Sequence, residues 1–555
     1  MEKKYTLGID FGSLSGRAVL ADVRNGAELA SAVMDYPHAV MDRVLAKTGA
    51  PLPPDFALQD PADYLLVAGT VIPETLRQAG VSPSEVAGVC VDFTCCTVLP
   101  LDKNGTPLSM LPEFEREPHA YAKLWKHHAA TPYADRMNEV ARARGEKFLL
   151  SCGGAVSSEW LFPKIYETLD KAPAVYAAAD SFMEAGDYLA FVLTGVRRRG
   201  YLYAAYKAQY DKKDGYPSED YFAAVDSRLT HVVRDKLRDP VIMSGTPVGT
   251  VTPEAAERFG LAAGTPVAAS MPDGHVAAAA LDMKMRGDMF AVFGTSGCFY
   301  LLDDRYLDIP GICGSVPDGV IPGFYGYEAG LSCFGDHFAY AAKELTSPEY
   351  VAEAKAQGIS MMKLLLRKAA AKKPGESGVL ALNWFNGNRS VLVNYDLSGL
   401  FVGLTLSTRP EDLMRALIEA TAFGTRNILN NFETHGGEIR RIIASGGIAR
   451  KDPFTMQLFA DVLKKEIRVA ETAQAPALGS AINAAVAAGV YPDFPSAISA
   501  MSRVSDTVYR PDPENAPVYD RLFGEYMKLH DYFGRGGNDV MRELRRISAQ
   551  ARGLS

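Results

Sequence analysis

The sequence predicts an α/β protein of two domains, and three observations carry that expectation. At 555 residues the chain is longer than one hydrophobic core usually serves. Strand-like and helix-like segments alternate along it, which is the order of a layered α/β domain. A strand, glycine turn and strand also occur twice, so that each half opens with a hairpin of the same type.

The elements follow in order. "KYTLGIDFGS" alternates as a strand and enters a glycine-rich turn, and "GRAVLADV" returns as a second strand. "PADYLLVAGTVIPETLRQAG" reads as a helix and "VAGVCVDFT" as a buried strand. Near the middle, "GDMFAVFGTSGCFYLLDD" gives a strand, a Gly-Thr-Ser-Gly turn and another strand. A helix is expected from about Glu411 to Asn431, then the strand-turn "IRRIIASGGIARKD" and a small-residue helix in "APALGSAINAAVAAGVYP". After about residue 515 the chain reads as a charged amphipathic helix with a solvated face. The boundary falls in "LDMKMRGD", dividing the chain into 1–283 and 284–555. No low-complexity linker lies there, so the domains are expected to pack face to face around a cleft.

Composition narrows the function. Hydrophobic residues at 48% and charged residues at 22% fit a soluble globular protein. A net charge of -8 argues against a nucleic-acid partner. The one dense basic run, Arg197-Arg198-Arg199 before Gly200, is expected to be a solvated turn. Seven scattered cysteines suit free thiols in a reducing compartment. No pair has CxxC spacing, and His127 and His128 lack nearby companion ligands for a zinc site. "MEKKYTLGID" has no signal-peptide core, and no apolar run approaches the ~20 residues of a membrane helix. A cytoplasmic protein with no membrane partner is expected.

The first hairpin, "GIDFGSLSGR", gathers Asp10, Gly12, Ser13, Ser15 and Arg17 on one turn. Glycines let backbone N–H groups approach phosphate oxygens, and hydroxyls and arginine donate further hydrogen bonds. Asp10 suits a hydrated Mg²⁺, which takes one or two carboxylates plus waters and phosphates. The alternative is a plain β-hairpin whose Gly12 serves the turn. GxxxxGK[ST] is absent, and no GxGxxG opens a helix. The second hairpin offers Gly294, Thr295, Ser296 and Gly297 in the same style. Gly446 and Gly447 after an apolar strand permit a flat ligand against the backbone, and Ala477, Leu478 and Gly479 could line the same pocket. The alternative there is a strand-end turn and close helix packing. In "SMPDGHVAAAALDMKM", Asp273 precedes a small-residue helix, and local chemistry favours an N-cap over a proton acceptor.

Together, "GIDFGSLSGR", the "GTS" turn and "ASGGIARKDPFTMQLFADVL" resemble the FGGY carbohydrate kinases of the actin/hexokinase/Hsp70 superfamily. "GLFVGLTLSTRPEDLMRALIE" is similar to that family's second signature along its whole length. "VDFTCCTVLPLD", "YAKLWKHHAA", "SSEWLFPKI", "GYEAGLSCFGD", "NWFNGNRS" and "APALGSAINAAVAAG" extend the resemblance from residue 6 to about residue 490 and point to the branch acting on L-ribulose.

The resemblance implies two actin-like, ribonuclease H-like ATPase domains around a central cleft, with ATP and Mg²⁺ as cofactors. It implies phosphorylation of L-ribulose at O5 in arabinose breakdown, with Asp273 as general base. Trp125, Lys207 and Glu328 would grip the sugar, and Asp92 and Cys95 would form a wall of its pocket. The two hairpins and Mg²⁺ at Asp10 would carry phosphate charge, and Gly446, Gly447 and Gly479 would hold adenosine. Met271-Pro272, Leu331 and Ser13 depart from residues common in the family. Kinases for D-ribulose, xylulose or ribitol, and a non-catalytic nucleotide or sugar binder, are the alternatives. Domain closure on binding both ligands and a homodimer are further expectations.

Overall fold

The computed structural model describes residues 4–551, which divide into two units, each assembled from several stretches. Unit 1 holds the chain up to Lys284, with Val316–Tyr325 and Gln474–Arg503. Unit 2 holds Met285–Ser315, Gly326–Ala473 and the residues from Val504 onward.

The elements that carry the site are, in chain order, β1 (Tyr5–Phe11), β2 (Ser15–Asp22), β3 (Glu28–Asp35), α1 (Pro61–Ala79), β4 (Val86–Phe93), α2 (Leu161–Lys171) and α3 (Asp273–Ala280). Then come β5 (Asp288–Phe293), β6 (Gly297–Asp303), β7 (Tyr325–Leu331), α4 (Gly335–Glu344), α5 (Pro410–Thr434), β8 (Arg441–Ser445), β9 (Ile467–Ala470), α6 (Ala475–Ala487) and β10 (Val504–Tyr509).

In unit 1, β1 and β2 form the expected antiparallel hairpin with Asp10 opposite Arg17, and β3 extends it. β4 runs parallel to β1 on the other side and sets Asp92 beside Asp10. All eight residues of β4 are buried, so its sequence runs without charge from Val86 to Val91 rather than alternating, and Asp92 is its one charged residue. Along β1, Leu7, Ile9 and Phe11 join a core with Tyr64, Val67 and Val71 of α1. The helix α1 starts where the Asp60 carboxylate accepts the Ala62 N–H and ends at left-handed Gly80.

Side chains alternate across a strand, so Gly8 and Asp10 face away from α1. α6 lies on that face, at a distance only glycine allows. A Cβ on Gly8 would stand 1.8 Å from the Ala477 carbonyl oxygen, and one on Gly88 would stand 2.7 Å from that of Ala484.

Unit 2 repeats the plan. β5 and β6 form an antiparallel hairpin, β8 runs parallel to β5, and β9 runs parallel to β8. β10 closes that edge antiparallel, and β7 lies beyond β6. The pair β5/β8 reproduces β1/β4, so the weak sequence repeat is a repeat of topology.

Two expectations need correction. Arg199 does not lie in a solvated turn. It is buried at 3% exposure, and its guanidinium donates to the Phe182 carbonyl at 2.7 Å and to Ser181 Oγ at 3.0 Å. The tail is not one helix but two, Ala516–Gly534 and Val540–Ala551. Gly534, Gly536 and Gly537 fall at the break, where helix propensity is lowest. Among the described residues, no helix is long and apolar enough to cross a membrane.

Candidate active site

The turn between β1 and β2 is fixed by its own hydrogen bonds. Gly12 N–H donates to Ser15 O at 2.9 Å, Tyr36 Oη to Gly12 O at 2.8 Å, and Gln59 Nε2 to Ser13 O at 2.8 Å. A Cβ on Gly12 would meet only Ser15 O, at 3.5 Å. Packing therefore does not demand glycine there, and its smallness keeps the backbone open to approach from outside the chain. Arg17 stands over the hairpin, with Nε 3.3 Å from Asp10 Oδ2, Nη2 donating to Ser15 Oγ at 3.3 Å and Nη1 to Gln474 Oε1 at 3.1 Å.

Three carboxyl groups converge beside this turn. Met271-Pro272 pairs with Asp92-Phe93 of β4, and α3 opens at once with Asp273. The N-cap position belongs to Pro272, without a side-chain cap, while Asp273 Oδ1 accepts the N–H of Gly274 at 2.7 Å. Asp273 is the first helical residue, half-buried, rather than the cap that local chemistry favours.

Asp92 is fully buried. Burial first, then the charges of Asp10 and Asp273, push its carboxyl well above the usual range, against the Ser480 hydroxyl donating to Oδ2 at 2.6 Å. Burial also raises Asp10, with the Arg17 guanidinium pulling it back. Of these neighbours Asp92 holds its proton the more firmly. Asp92, expected to form a wall of the sugar pocket, is fully buried and bonded to Ser480. The oxygen-only donor set suits Mg²⁺, which keeps most of its waters. Among the described residues, no group of three or more His, Cys, Asp or Glu could close around a metal.

Of the sugar-side residues, Trp125 Nε1 donates to Ser13 Oγ at 2.9 Å, so the indole is tied directly to the first hairpin. Lys207 is buried, its ammonium 5.6 Å from the Trp160 ring centroid and 5.7 Å from that of Tyr206. Cys95 packs with Trp125, Trp160 and Cys152, and burial pushes its thiol up.

Unit 2 holds the others. The turn Gly294–Gly297 is pinned from α4: Phe334 N–H donates to Thr295 O at 2.8 Å and Gly335 N–H to Gly294 O at 2.9 Å. A Cβ on Gly294 would meet only Ser296 O, at 3.6 Å, so this turn is open like the first. Ser296 lies in the same turn and donates nothing to the pinning. Gly446 has φ 99°, and its Cβ would stand 2.4 Å from Phe293 O; at Gly447 nothing lies within 4 Å. Gly446 thus makes the bend and Gly447 leaves space. Glu328 is buried on β7, its Oε1 accepting from Arg389 Nη2 at 3.0 Å, while Arg389 Nη1 lies 3.8 Å from Cys298 Sγ. The sequence reading named "NWFNGNRS" but not Arg389 within it, because nothing local reveals its partner 61 residues away.

Gly479 belongs to unit 1. Its Cβ would stand 2.0 Å from the Val276 carbonyl oxygen, so close packing of α6 on α3 accounts for this glycine. Sequence reasoning also missed Ser480 and Gln474, which reach Asp92 and Arg17 from α6 and its approach.

Two units built on the same open hairpin, one of them gathering carboxylates and an arginine around it, define a phosphotransferase of the actin-like ATPase fold. The chain belongs to the FGGY family of carbohydrate kinases: that family's N-terminal domain matches residues 5–280 and its C-terminal domain residues 289–488. It is 47% identical to a ribulokinase of Bacillus licheniformis over 538 residues, covering 96% of this chain and 97% of the relative. A ribulokinase of Mycolicibacterium smegmatis is 44% identical, covering 99% of this chain and 97% of its own. Among solved structures, the xylulose kinase of Rhodospirillum rubrum superposes with a TM-score of 0.76 at 27% identity, over 95% of this chain and 98% of its own. The gluconate kinase of Lactobacillus acidophilus shares the fold with a TM-score of 0.78 at 19% identity, over 96% of this chain and 99% of its own.

Proposed function

We propose that this kinase phosphorylates L-ribulose at O5, with ATP as donor, to give L-ribulose 5-phosphate and ADP in L-arabinose breakdown. The observation that carries the chemistry is Asp273. It is the half-buried carboxylate of its cluster, it opens a helix whose N-terminus favours phosphate charge, and it stands against the strand of Asp92, next to Asp10 and the hairpin. The choice of sugar rests on full-length similarity to relatives that carry the name ribulokinase.

In the reaction, Asp273 accepts the O5 proton as that oxygen attacks the γ-phosphorus and the bond to the β-phosphate oxygen breaks. Arg17 and the N–H groups of the first hairpin carry phosphoryl charge, and the open hairpin of unit 2 is suited to the same task. Asp10 would hold Mg²⁺ through water, and that ion, when bound, neutralises phosphate oxygens. Trp125, Lys207, Cys95 and Glu328 are assigned to the sugar, and Gly446 and Gly447 to adenosine.

A coupled ADP-release assay with L-ribulose, D-ribulose, D-xylulose, ribitol and glycerol tests this, with Asp273→Asn alongside. Preference for L-ribulose and a loss of about 10²–10⁴ in kcat for the variant are expected. Preference for another sugar would keep the base and replace the substrate. Sugar turnover that survives Asp273→Asn would overturn the base.

A further inference from the structure

Beneath the sugar-facing groups of unit 1 lies an ammonium that none of the roles above uses. Lys164, on α2, is 1% exposed. Its Nζ donates to three backbone carbonyls: Cys96 O at 2.5 Å, Leu124 O at 2.9 Å and Lys123 O at 3.2 Å. Two of those carbonyls belong to the residues directly next to Cys95 and Trp125. The residue just before α2 is Trp160, whose ring packs with Cys95 and Trp125 and lies under the Lys207 ammonium. The helix and the residue that precedes it thus reach the chain beside Cys95 and Trp125 and the ammonium of Lys207.

A buried ammonium is costly to keep, and it is retained where geometry requires several donors at one point. Only lysine supplies three donors from a single atom. Here they hold the ends of two segments that meet in the Val98–Lys123 strand pair, and at Leu124 the ammonium adds to the His127 N–H, which that carbonyl accepts at 2.9 Å. A compensating charge is close. Burial pushes Glu184 up to about 7, and Lys164 is the strongest influence opposing that rise.

We propose that Lys164 is a positioning residue for sugar binding: its ammonium ties the segments presenting Cys95 and Trp125 to the helix that backs Lys207, and so sets the spacing of the sugar-facing side chains. This rests on the sugar roles given above to Cys95, Trp125 and Lys207. It predicts a selective defect, in sugar recognition rather than nucleotide use.

Lys123 supplies the control. It is equally buried and lies in the same polar patch, but its Nζ goes only to α2, to Glu167 Oε2 at 2.6 Å, Thr168 Oγ1 at 2.7 Å and Lys164 O at 3.3 Å. It ties the segment of Trp125 to α2 and makes no bond to the segment of Cys95.

The experiment compares wild type, Lys164→Met, Lys164→Gln and Lys123→Met, using the sugar that wild type phosphorylates best in the panel. KM for sugar, KM for ATP and the thermal midpoint are measured for each. Loss of the Lys164 tripod is expected to raise the sugar KM by about tenfold or more, since displacement of a binding group by about 1 Å costs on that order, with ATP KM within about twofold. Lys164→Gln should fall between. Lys123→Met should lower the midpoint while leaving the ratio of the two KM values as in wild type.

Parallel changes in both KM values, an unchanged sugar KM, or the same ratio shift in Lys123→Met would overturn the proposal. So would failure of both Lys164 variants to fold where Lys123→Met folds, which would make Lys164 a folding residue. If the preferred sugar is not L-ribulose, the wild-type panel shows it, and the variant ratios still decide the role of Lys164.

Discussion

Replacing Gly479 by alanine separates the two readings of that residue, as a packing glycine and as a contact for adenosine. The added Cβ would stand 2.0 Å from Val276 O, 2.7 Å from Val276 C and 3.2 Å from Ala277 N. Carbon–oxygen contacts settle near about 3.3–3.6 Å, so α3 and α6 must part by more than about 1 Å. The obstacle is helix backbone, which cannot swing aside as a side-chain tip can. Overpacking of this kind costs about 1–3 kcal/mol, and the measured loss is what remains after alanine's helix advantage of about 1 kcal/mol. Val276 lies one turn beyond Asp273 on α3, so the displacement is transmitted to the base. A shift of about 1 Å there should reduce kcat by about 10²-fold. Thermal unfolding and steady-state kinetics with saturating sugar and ATP measure both effects. A wild-type midpoint with wild-type kcat would refute the packing argument, and a rise in ATP KM alone would restore the nucleotide contact.

Two further outcomes are expected. Arg389→Met removes a charge-assisted hydrogen bond to the buried Glu328 carboxylate and should cost about 1.5–3 kcal/mol in urea unfolding, whereas an unmoved midpoint would show the pair to be neutral. For Glu184→Gln, the sign follows from a carboxyl raised from 4.5 to about 7 in the folded protein. Such a group stabilises fully below its unfolded value and loses that contribution as pH rises through the folded one. Wild type should therefore lose up to about 3 kcal/mol relative to Glu184→Gln between about pH 4 and about pH 8, and parallel stability curves would count against it. His119 and His127, lowered by burial to about 3 and about 4, act in the opposite sense but are common to both proteins.

What could be read in the sequence was local. The hairpins showed because alternation and a glycine turn lie within one short window, and β4 showed because burial on both faces leaves six uncharged residues, Val86 to Val91, ahead of Asp92. The helix Pro410–Thr434 overlaps the expected 411–431 because its apolar stripe recurs over six turns. What could not be read depends on partners distant in the chain. Arg199 looks solvated until Ser181 and Phe182 come to it. Nothing near Asp92 in the sequence shows its partner Ser480, 388 residues away. Lys164 is one residue in a family-like stretch until two separate segments bring their carbonyls to it.

The return of residues 474–503 to unit 1 gives the carboxylate cluster its stiffness. The three acids arrive on different segments, Asp10 on β1, Asp92 on β4 and Asp273 on α3, and the pairing of β1, β4 and Met271-Pro272 in one sheet brings them together. α6 touches each segment by a different means. Its backbone rests on Gly8 of β1, Ser480 donates to Asp92, and Gly479 seats α3 at Val276. Asn483 adds a fourth contact, donating to Ala269 O at 2.9 Å just ahead of Met271. Every one of these contacts uses a small residue or a short polar side chain, which is why the segment reads as "APALGSAINAAVAAG". A helix of larger residues would cover the same sheet but could not approach three backbones at once, and the acids would then be held by the sheet pairing alone. Small side chains on α6 therefore serve the placement of Asp273 as directly as the residues that surround it.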